Sequence, residues 1–146
     1  FEILYSPPPP ASANEQACVL RVVGGERAVL LPGDVGVRGE YQMLRQVLSA
    51  DLLLAPHHGS RSSSSYAFIR AVSPRWVVFS AGRHSQYGHP HPGGVARYRE
   101  LDAEPVYTAT AGAIRYGLDD TGKSRQAWTW RQRAQRFWHE TEAGAD

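Results

Sequence analysis

The stretch that decides the fold is Asp51-Leu-Leu-Leu-Ala-Pro-His-His-Gly-Ser60. Its first half is an apolar run of the length of a buried strand, and its second half places two histidines and a glycine directly after that run. Two adjacent imidazoles are costly in a core, because both nitrogens of each ring need polar partners. Neutral imidazole is also a common ligand of divalent metal ions. We therefore favour a functional role for His57 and His58 over a pair of solvated loop histidines.

Strands and helices alternate on both sides of this stretch. Upstream, two β-rich segments over 18–23 and 27–31 flank Gly24-Gly25-Glu26, which is a hairpin signal. The spacing of apolar residues predicts helices over 40–48, 92–101 and 131–140, and one more helix that begins after a cap at Ser64 or Ser65. Strands are predicted over 75–80, 105–108, 113–118 and 126–130. This alternation is typical of an α/β (α+β layered) fold.

The size and composition are those of one domain or of part of one. The 146 residues are 42 % hydrophobic, enough for a core, and the net charge of +2 is a weak argument for nucleic-acid binding. Cys18 is the only cysteine, which excludes an internal disulfide. No apolar run approaches the ~18 residues of a membrane span. We expect a proline-rich loop over 6–14 and a C-terminal helix and tail over 131–146.

Polar residues with metal-ligand or catalytic chemistry follow the predicted strands. In open α/β sheets, sites gather outside the carboxyl ends of the strands, so we expect these residues to converge on one edge. From its own tetrapeptide, Asp34 is better explained as the cap of a turn, and His91 is equally well explained as a surface residue. Ser60 either belongs to a plain loop or binds an anion near the site. The expected group consists of Asp34, His57, His58, His84, His89 and His91.

These motifs, in this order, resemble those of the C-terminal soluble domain of the ComEC/Rec2 family of DNA-uptake (competence) proteins. The resemblance covers about residues 1–117. It is carried by Leu31-Pro-Gly-Asp34, by Pro56-His-His-Gly-Ser60 and by Tyr87-Gly-His-Pro90. It implies that residues 1–146 form the second half of a metallo-β-lactamase-like αββα sandwich.

The resemblance also implies a site with two divalent metal ions, zinc or manganese. Asp34 would bridge the two ions, and His57 or His58 would be a ligand. His58 and His89 would be the catalytic candidates. Ser85 stands where the family often has asparagine, which weakens a hydrogen-bonding role at that position. The substrate-binding candidates are Ser60, Ser85 and His89.

The implied reaction is hydrolysis of phosphodiesters in the DNA strand that is not imported. The implied partners are DNA, either single-stranded or the strand being degraded, and the membrane channel of the parent protein. That parent would lie in the inner (cytoplasmic) membrane, with this domain soluble on the extracytoplasmic side. The main ligand motif of the superfamily, H-x-[HD]-x-D-H, belongs to the first half of the domain and is absent from this sequence. We therefore expect this chain alone to be inactive.

Two other hypotheses remain open at the level of sequence. The first is a degenerate domain that binds DNA or a partner protein without catalysis. The second is a soluble phosphodiesterase of the same superfamily branch. An H-x-[HD]-x-D-H motif upstream would favour catalysis, and upstream hydrophobic spans would favour the channel family over the soluble enzyme.

Overall fold

A six-stranded mixed sheet is the centre of the computed structural model, which describes residues 1–6, 16–118 and 128–134. The strand order in the sheet equals the order along the chain. The first three strands pair antiparallel, and the third to the sixth run parallel to one another. The strands are β1 (Glu2–Tyr5), β2 (Val19–Gly24), β3 (Arg27–Leu31), β4 (Leu52–Leu54), β5 (Trp76–Phe79) and β6 (Glu104–Tyr107).

Three helices connect the parallel strands, as expected for successive parallel strands of one sheet. They are α1 (Val37–Met43), α2 (Tyr66–Val72) and α3 (Pro92–Glu100). The chain continues through α4 (Thr108–Ala111), β7 (Ile114–Arg115), β8 (Trp128–Thr129) and α5 (Trp130–Arg133). The predicted α/β layered fold is confirmed. The metallo-β-lactamase sandwich remains a prediction, because the described residues form one main sheet with its helices.

The core lies between the sheet and the helices. Leu30, Leu53 and Val77, from three neighbouring strands, are fully buried in one cluster with side chains of α1, α2 and α3. Residues next to them in sequence belong to a second cluster on the other side of the sheet, where Leu52 and Trp76 are only 6 % exposed. Successive strand residues point to opposite faces, so a parallel strand buried on both faces is a continuous apolar run. This is why 51–55 could be recognised as a strand.

Helix boundaries were predicted with mixed accuracy. The side chain of Ser65 accepts a hydrogen bond from the Phe68 amide, so Ser65, rather than Ser64, caps α2. Pro92 opens α3, as predicted. The predicted helix over 40–48 was wrong in its bounds, because α1 begins three residues earlier and ends at Met43. The chain then turns so that Leu48 can pack into the core at 2 % exposure.

The ends of the chain are described only in part. β1 was not predicted, because its pairing with β2 spans the proline-rich segment and leaves no local signal. Ser6 is irregular, and the rest of the predicted 6–14 loop lies outside the described residues. β7 and β8 pair antiparallel, which confirms the pairing predicted for the closing hairpin, while residues 119–127 between them lie outside the described part. The predicted helix over 131–140 is helical to Arg133, and residues 135–146 lie outside the described part.

Within residues 1–6, 16–118 and 128–134, no helix has the length and apolar character needed to cross a membrane.

Candidate functional site

Three loops at the carboxyl ends of β3, β4 and β5 build the candidate site. The first carries Gly33 and Asp34, the second is the 3-10 turn Pro56–Gly59, and the third runs from Ser80 to His91. Because the three strands are parallel neighbours, their carboxyl ends meet at one edge of the sheet. This is the edge where open α/β sheets place their sites.

Backbone contacts fasten the three loops to one another. The His57 amide donates a hydrogen bond to the Gly33 carbonyl at 2.9 Å, which ties the second loop to the first. The His91 amide donates to the Gly59 carbonyl, also at 2.9 Å, which ties the third loop to the second. Gly59 has a φ of +81°, and a Cβ there would lie 2.7 Å from the Phe79 ring and 2.8 Å from Pro90. Only glycine fits at this crossing point.

The two adjacent histidines both have left-handed backbone conformations. His57 has φ 48° and ψ 46°, and His58 has φ 56° and ψ 20°. Such conformations cost on the order of 1–3 kcal/mol each and are concentrated at functional sites. The hydrogen bond from the Ser60 amide to the His57 carbonyl, 2.9 Å long, helps to hold the turn in this shape. The fold therefore retains an unfavourable backbone that sets the directions of two imidazoles.

His58, rather than His57, faces Asp34. Its Nε2 lies 3.7 Å from Asp34 Oδ1, and both side chains are about half exposed. Its Nδ1 lies 2.8 Å from the Ser80 carbonyl oxygen. A carbonyl only accepts, so Nδ1 carries the hydrogen, and in the neutral ring Nε2 presents its lone pair to the carboxylate. Two acceptors that face each other are favourable neighbours when a proton, a cation or a bridging water molecule lies between them.

The Asp34–His58 pair suits part of a metal site. Two ligands of one tetrahedral zinc ion lie roughly 3.3 Å apart, since each bond is about 2.0–2.1 Å long, and 3.7 Å is close to that separation. The hydrogen bond from Nδ1 to a backbone carbonyl is the usual outer partner of a metal-binding histidine. However, residues 1–6, 16–118 and 128–134 contain no group of three or more His, Cys, Asp or Glu side chains able to hold a metal ion. The described residues thus supply two neighbouring ligands and not a complete set.

His89 completes a group of three imidazoles. Its ring centroid lies 5.8 Å from that of His57 and 6.4 Å from that of His58. Burial lowers the pKa of His89, and the neighbouring His57 and His58 lower it further. Its Nδ1 is buried and has no hydrogen-bond partner among the described residues. A buried nitrogen without a partner needs an explanation, and a water molecule or a bound ligand would supply one.

The other expected site residues have different positions. His91 is the N-cap of α3, where its Nδ1 accepts a hydrogen bond from the Gly93 amide at 3.1 Å. His84 is exposed, outside the group of three imidazoles. Ser60 is 8 % exposed, and its hydroxyl lies 3.1 Å from that of Ser62. The Ser85 hydroxyl accepts a hydrogen bond from the His89 amide at 3.3 Å. The convergence expected for all five histidines is thus limited to three of them.

Glu40 is a buried carboxylate that the sequence did not single out as a site residue. It is 0 % exposed, and its two oxygens accept hydrogen bonds from the amides of Ser64 and Ser65 at 2.5 and 2.8 Å. From the other side, Arg97 donates to the carbonyls of Ser63 and Ser64 at 2.9 and 2.7 Å. The segment Ser63–Ser65, called the serine loop below, is therefore clamped between the Glu40 carboxylate of α1 and the Arg97 guanidinium of α3.

The clamped serine loop supports the histidine turn. The Ser63 hydroxyl donates to the Pro56 carbonyl at 2.9 Å and contacts the Ser60 carbonyl at 3.1 Å. The serine run therefore has a structural task in this fold, which is to brace the turn that carries His57 and His58. A signal for Glu40 existed in the sequence: at helical spacing it shares a face with Met43 and Leu44, where a solvated carboxylate is not expected.

We expect Glu40→Ala to lower the free energy of unfolding by about 2–4 kcal/mol, because two buried amides lose a charged acceptor. Urea denaturation of the chain measures this. Glu26→Ala, at an exposed glutamate, is the control and should change stability by less than about 0.5 kcal/mol. Equal stability of the Glu40→Ala and Glu26→Ala variants would contradict the clamp.

Fold and site together define an α/β-layered domain that gathers one carboxylate and three imidazoles at the carboxyl edge of its parallel strands. The chain is 37 % identical over 116 residues to Competence protein ComA of Neisseria gonorrhoeae, covering 77 % of this chain and 17 % of that protein. It is 32 % identical over 111 residues to ComE operon protein 3 of Bacillus subtilis, covering 75 % and 14 %. It is 31 % identical over 102 residues to Recombination protein 2 of Haemophilus influenzae, covering 70 % and 13 %. No protein-family model matches the chain.

The chain therefore belongs to the ComEC/Rec2 family of competence proteins, which confirms the resemblance seen in its motifs. It spans between 13 % and 17 % of the length of these relatives.

Proposed function

We propose that this chain is the carboxyl half of a metal-dependent phosphodiesterase domain that acts on DNA during competence uptake. The family supports the role in DNA uptake, since two of its members are named as a competence protein and a recombination protein. The proposed parent lies in the inner membrane, where its channel imports one strand. In this proposal the domain lies outside the cytoplasm and degrades the other strand.

The observation that carries the proposal is the Asp34–His58 pair. His58 Nδ1 is held by the Ser80 carbonyl, which leaves the Nε2 lone pair 3.7 Å from the Asp34 carboxylate. This donor set suits zinc or manganese, because imidazole and carboxylate are ligands that both ions accept. Two bound ions, as proposed, would supply positive charge beside a phosphoryl group and lower the pKa of a water molecule.

The residues of this chain then divide into two kinds of role. Asp34 and His58 hold metal, and His57 is an immediate neighbour of that pair through its ring contact with His58. His89, whose pKa is lowered, remains a neutral proton donor or acceptor near the substrate phosphate. The Ser85 hydroxyl positions His89 by accepting a hydrogen bond from the His89 backbone amide. Ser60 stabilises the histidine turn through the hydrogen bond from its own amide to the His57 carbonyl.

The proposal is tested by hydrolysis of a single-stranded oligonucleotide by the full-length protein. We expect cleavage with Mn²⁺ or Zn²⁺ and no cleavage in the presence of a chelator, because the reaction needs both the acidified water and the positive charge. For the 146-residue chain alone we expect weak metal binding and little cleavage, since a catalytic zinc site needs three protein ligands. Cleavage that a chelator does not affect would overturn the proposal.

A second candidate function is a degenerate domain that binds DNA without cutting it. The observation that favours it is the lack of a group of three metal-ligating side chains within the described part of the chain. The same experiment separates the two functions. A binding module retains its affinity for the oligonucleotide in chelator and never cleaves it.

A further inference from the structure

A small cavity opens beside His58 and His89 of the imidazole group. Its volume is about 240 Å³, which is below the ~300–1,000 Å³ of typical small-molecule sites. A space of this size suits one planar ring system better than a whole nucleotide. Its walls are formed by His58, Ser80, Ala81, Gly82, Ser85, Tyr87 and His89.

The rings along this cavity form a ladder of three, in which neighbouring planes are tilted by 26° or 28°. Tyr87 and His89 have centroids 6.0 Å apart and planes at 28°. His89 and His58 follow, with centroids 6.4 Å apart and planes at 26°. The inner end of this ring ladder is His58, beside Asp34, and the outer end is Tyr87, which is 74 % exposed. A large exposed aromatic side chain at a site is a common feature of ligand contact.

We propose that Tyr87 and this cavity bind one unstacked nucleobase of a single-stranded DNA substrate. The inference rests on the proposed function and adds to it the part of the substrate that is recognised. A base packed against Tyr87 would bring the adjoining backbone phosphate toward His89 and His58, at the inner end of the ring ladder. The buried Nδ1 of His89, which lacks a partner among the described residues, belongs to the middle ring of this ladder.

The chemistry of the cavity walls favours a base over other occupants. Ala81, Gly82 and Tyr87 offer an apolar surface to a ring, while the polar groups are confined to the histidines and two serines. Base–aromatic stacking tolerates any sequence, because every base has a π-face. The site therefore distinguishes single-stranded DNA from a plain phosphodiester, and it does so without strong preference among the four bases.

The test compares two oligonucleotides of equal length and charge, one with bases and one abasic. The dissociation constants are measured for the 146-residue chain and for its Tyr87→Ala and Tyr87→Trp variants. We expect Tyr87→Ala to weaken binding of the base-containing strand by about 5- to 150-fold, which is the range expected for the loss of one base–aromatic stack. Binding of the abasic strand should not change. Tyr87→Trp should keep the preference, and Tyr41→Ala, which removes another exposed tyrosine, should have no effect.

The outcomes separate this inference from the function on which it rests. Equal affinity of the unmodified chain for both strands, or equal weakening of both by Tyr87→Ala, would overturn the nucleobase site alone. Metal-dependent hydrolysis by the full-length protein would still stand in that case. A chain that binds neither strand would overturn the nucleobase site, and hydrolysis that does not respond to a chelator would overturn the proposed function. Loss of affinity for a protein partner in Tyr87→Ala, with DNA binding unchanged, would assign the cavity to a protein side chain instead.

Discussion

Asp34→Ala is expected to lower the rate of metal-dependent DNA hydrolysis by the full-length protein at least about 100-fold. Loss of an outer hydrogen-bond partner of a metal ligand typically costs 10- to 100-fold in metal affinity or activity, and loss of a ligand itself should cost more. His58→Ala should have an effect of the same size, because its Nε2 faces the Asp34 carboxylate. The initial rate of cleavage of a labelled single strand, at saturating metal, measures both.

His84 provides the matched control for these substitutions. It belongs to the same loop as His89 but is exposed and outside the imidazole group. His84→Ala should therefore retain the rate within about twofold, as expected for a surface change far from any special contact. Folding of each variant is checked by its urea unfolding curve. A full rate in folded Asp34→Ala would remove the aspartate from the site.

Gly59→Ala is expected to lower the free energy of unfolding by about 3 kcal/mol. The left-handed φ of +81° accounts for roughly 1–2 kcal/mol of this. The remainder comes from the contact of the new methyl group with Phe79 and Pro90, at 2.7 and 2.8 Å, because overpacking typically costs 1–3 kcal/mol. Since Gly59 joins the loops after β4 and β5, the imidazole group should also be displaced.

Two other glycines separate the contributions to this effect. A Cβ on Gly88 meets nothing within 4 Å, but its φ is +65°, so Gly88→Ala should cost only the conformational part, about 1–2 kcal/mol. Gly82 has neither a close neighbour nor a positive φ, so Gly82→Ala should change stability by less than about 0.5 kcal/mol. Urea denaturation of the three variants should give the order Gly59, Gly88, Gly82. A cost for Gly59→Ala no larger than that for Gly88→Ala would mean that the crossing of the loops is not tight.

Much of this fold could be predicted from local pattern. The run from Leu52 to Leu54, the hairpin around Gly25 and the proline that opens α3 all follow from residue type and spacing within a short window. The edge on which Asp34 and the histidines meet follows from parallel strand order alone. These features need no knowledge of contacts between distant residues.

The choice between His57 and His58 could not be predicted, because it depends on two consecutive left-handed residues. Non-glycine residues rarely adopt this conformation, so a sequence pattern does not predict it. The burial of Glu40 was missed for a different reason. Its helix face gave a signal, but its partners, Ser64 and Ser65, are 24 and 25 residues away, so no local pattern indicated which groups would pair with a buried carboxylate.

The central claim, that Asp34 and His58 share a metal ion, is tested most directly by nitrogen NMR of the histidine side chains during a zinc titration of the chain. Before zinc is added, the His58 Nδ1 should be protonated and its Nε2 should have the shift of a free lone pair, as the contact with Ser80 requires. We expect zinc to change the Nε2 signal of His58, and Asp34→Ala to abolish that change. An Nε2 signal of His58 that stays unchanged at saturating zinc, or one that changes equally in Asp34→Ala, would contradict the shared metal ion.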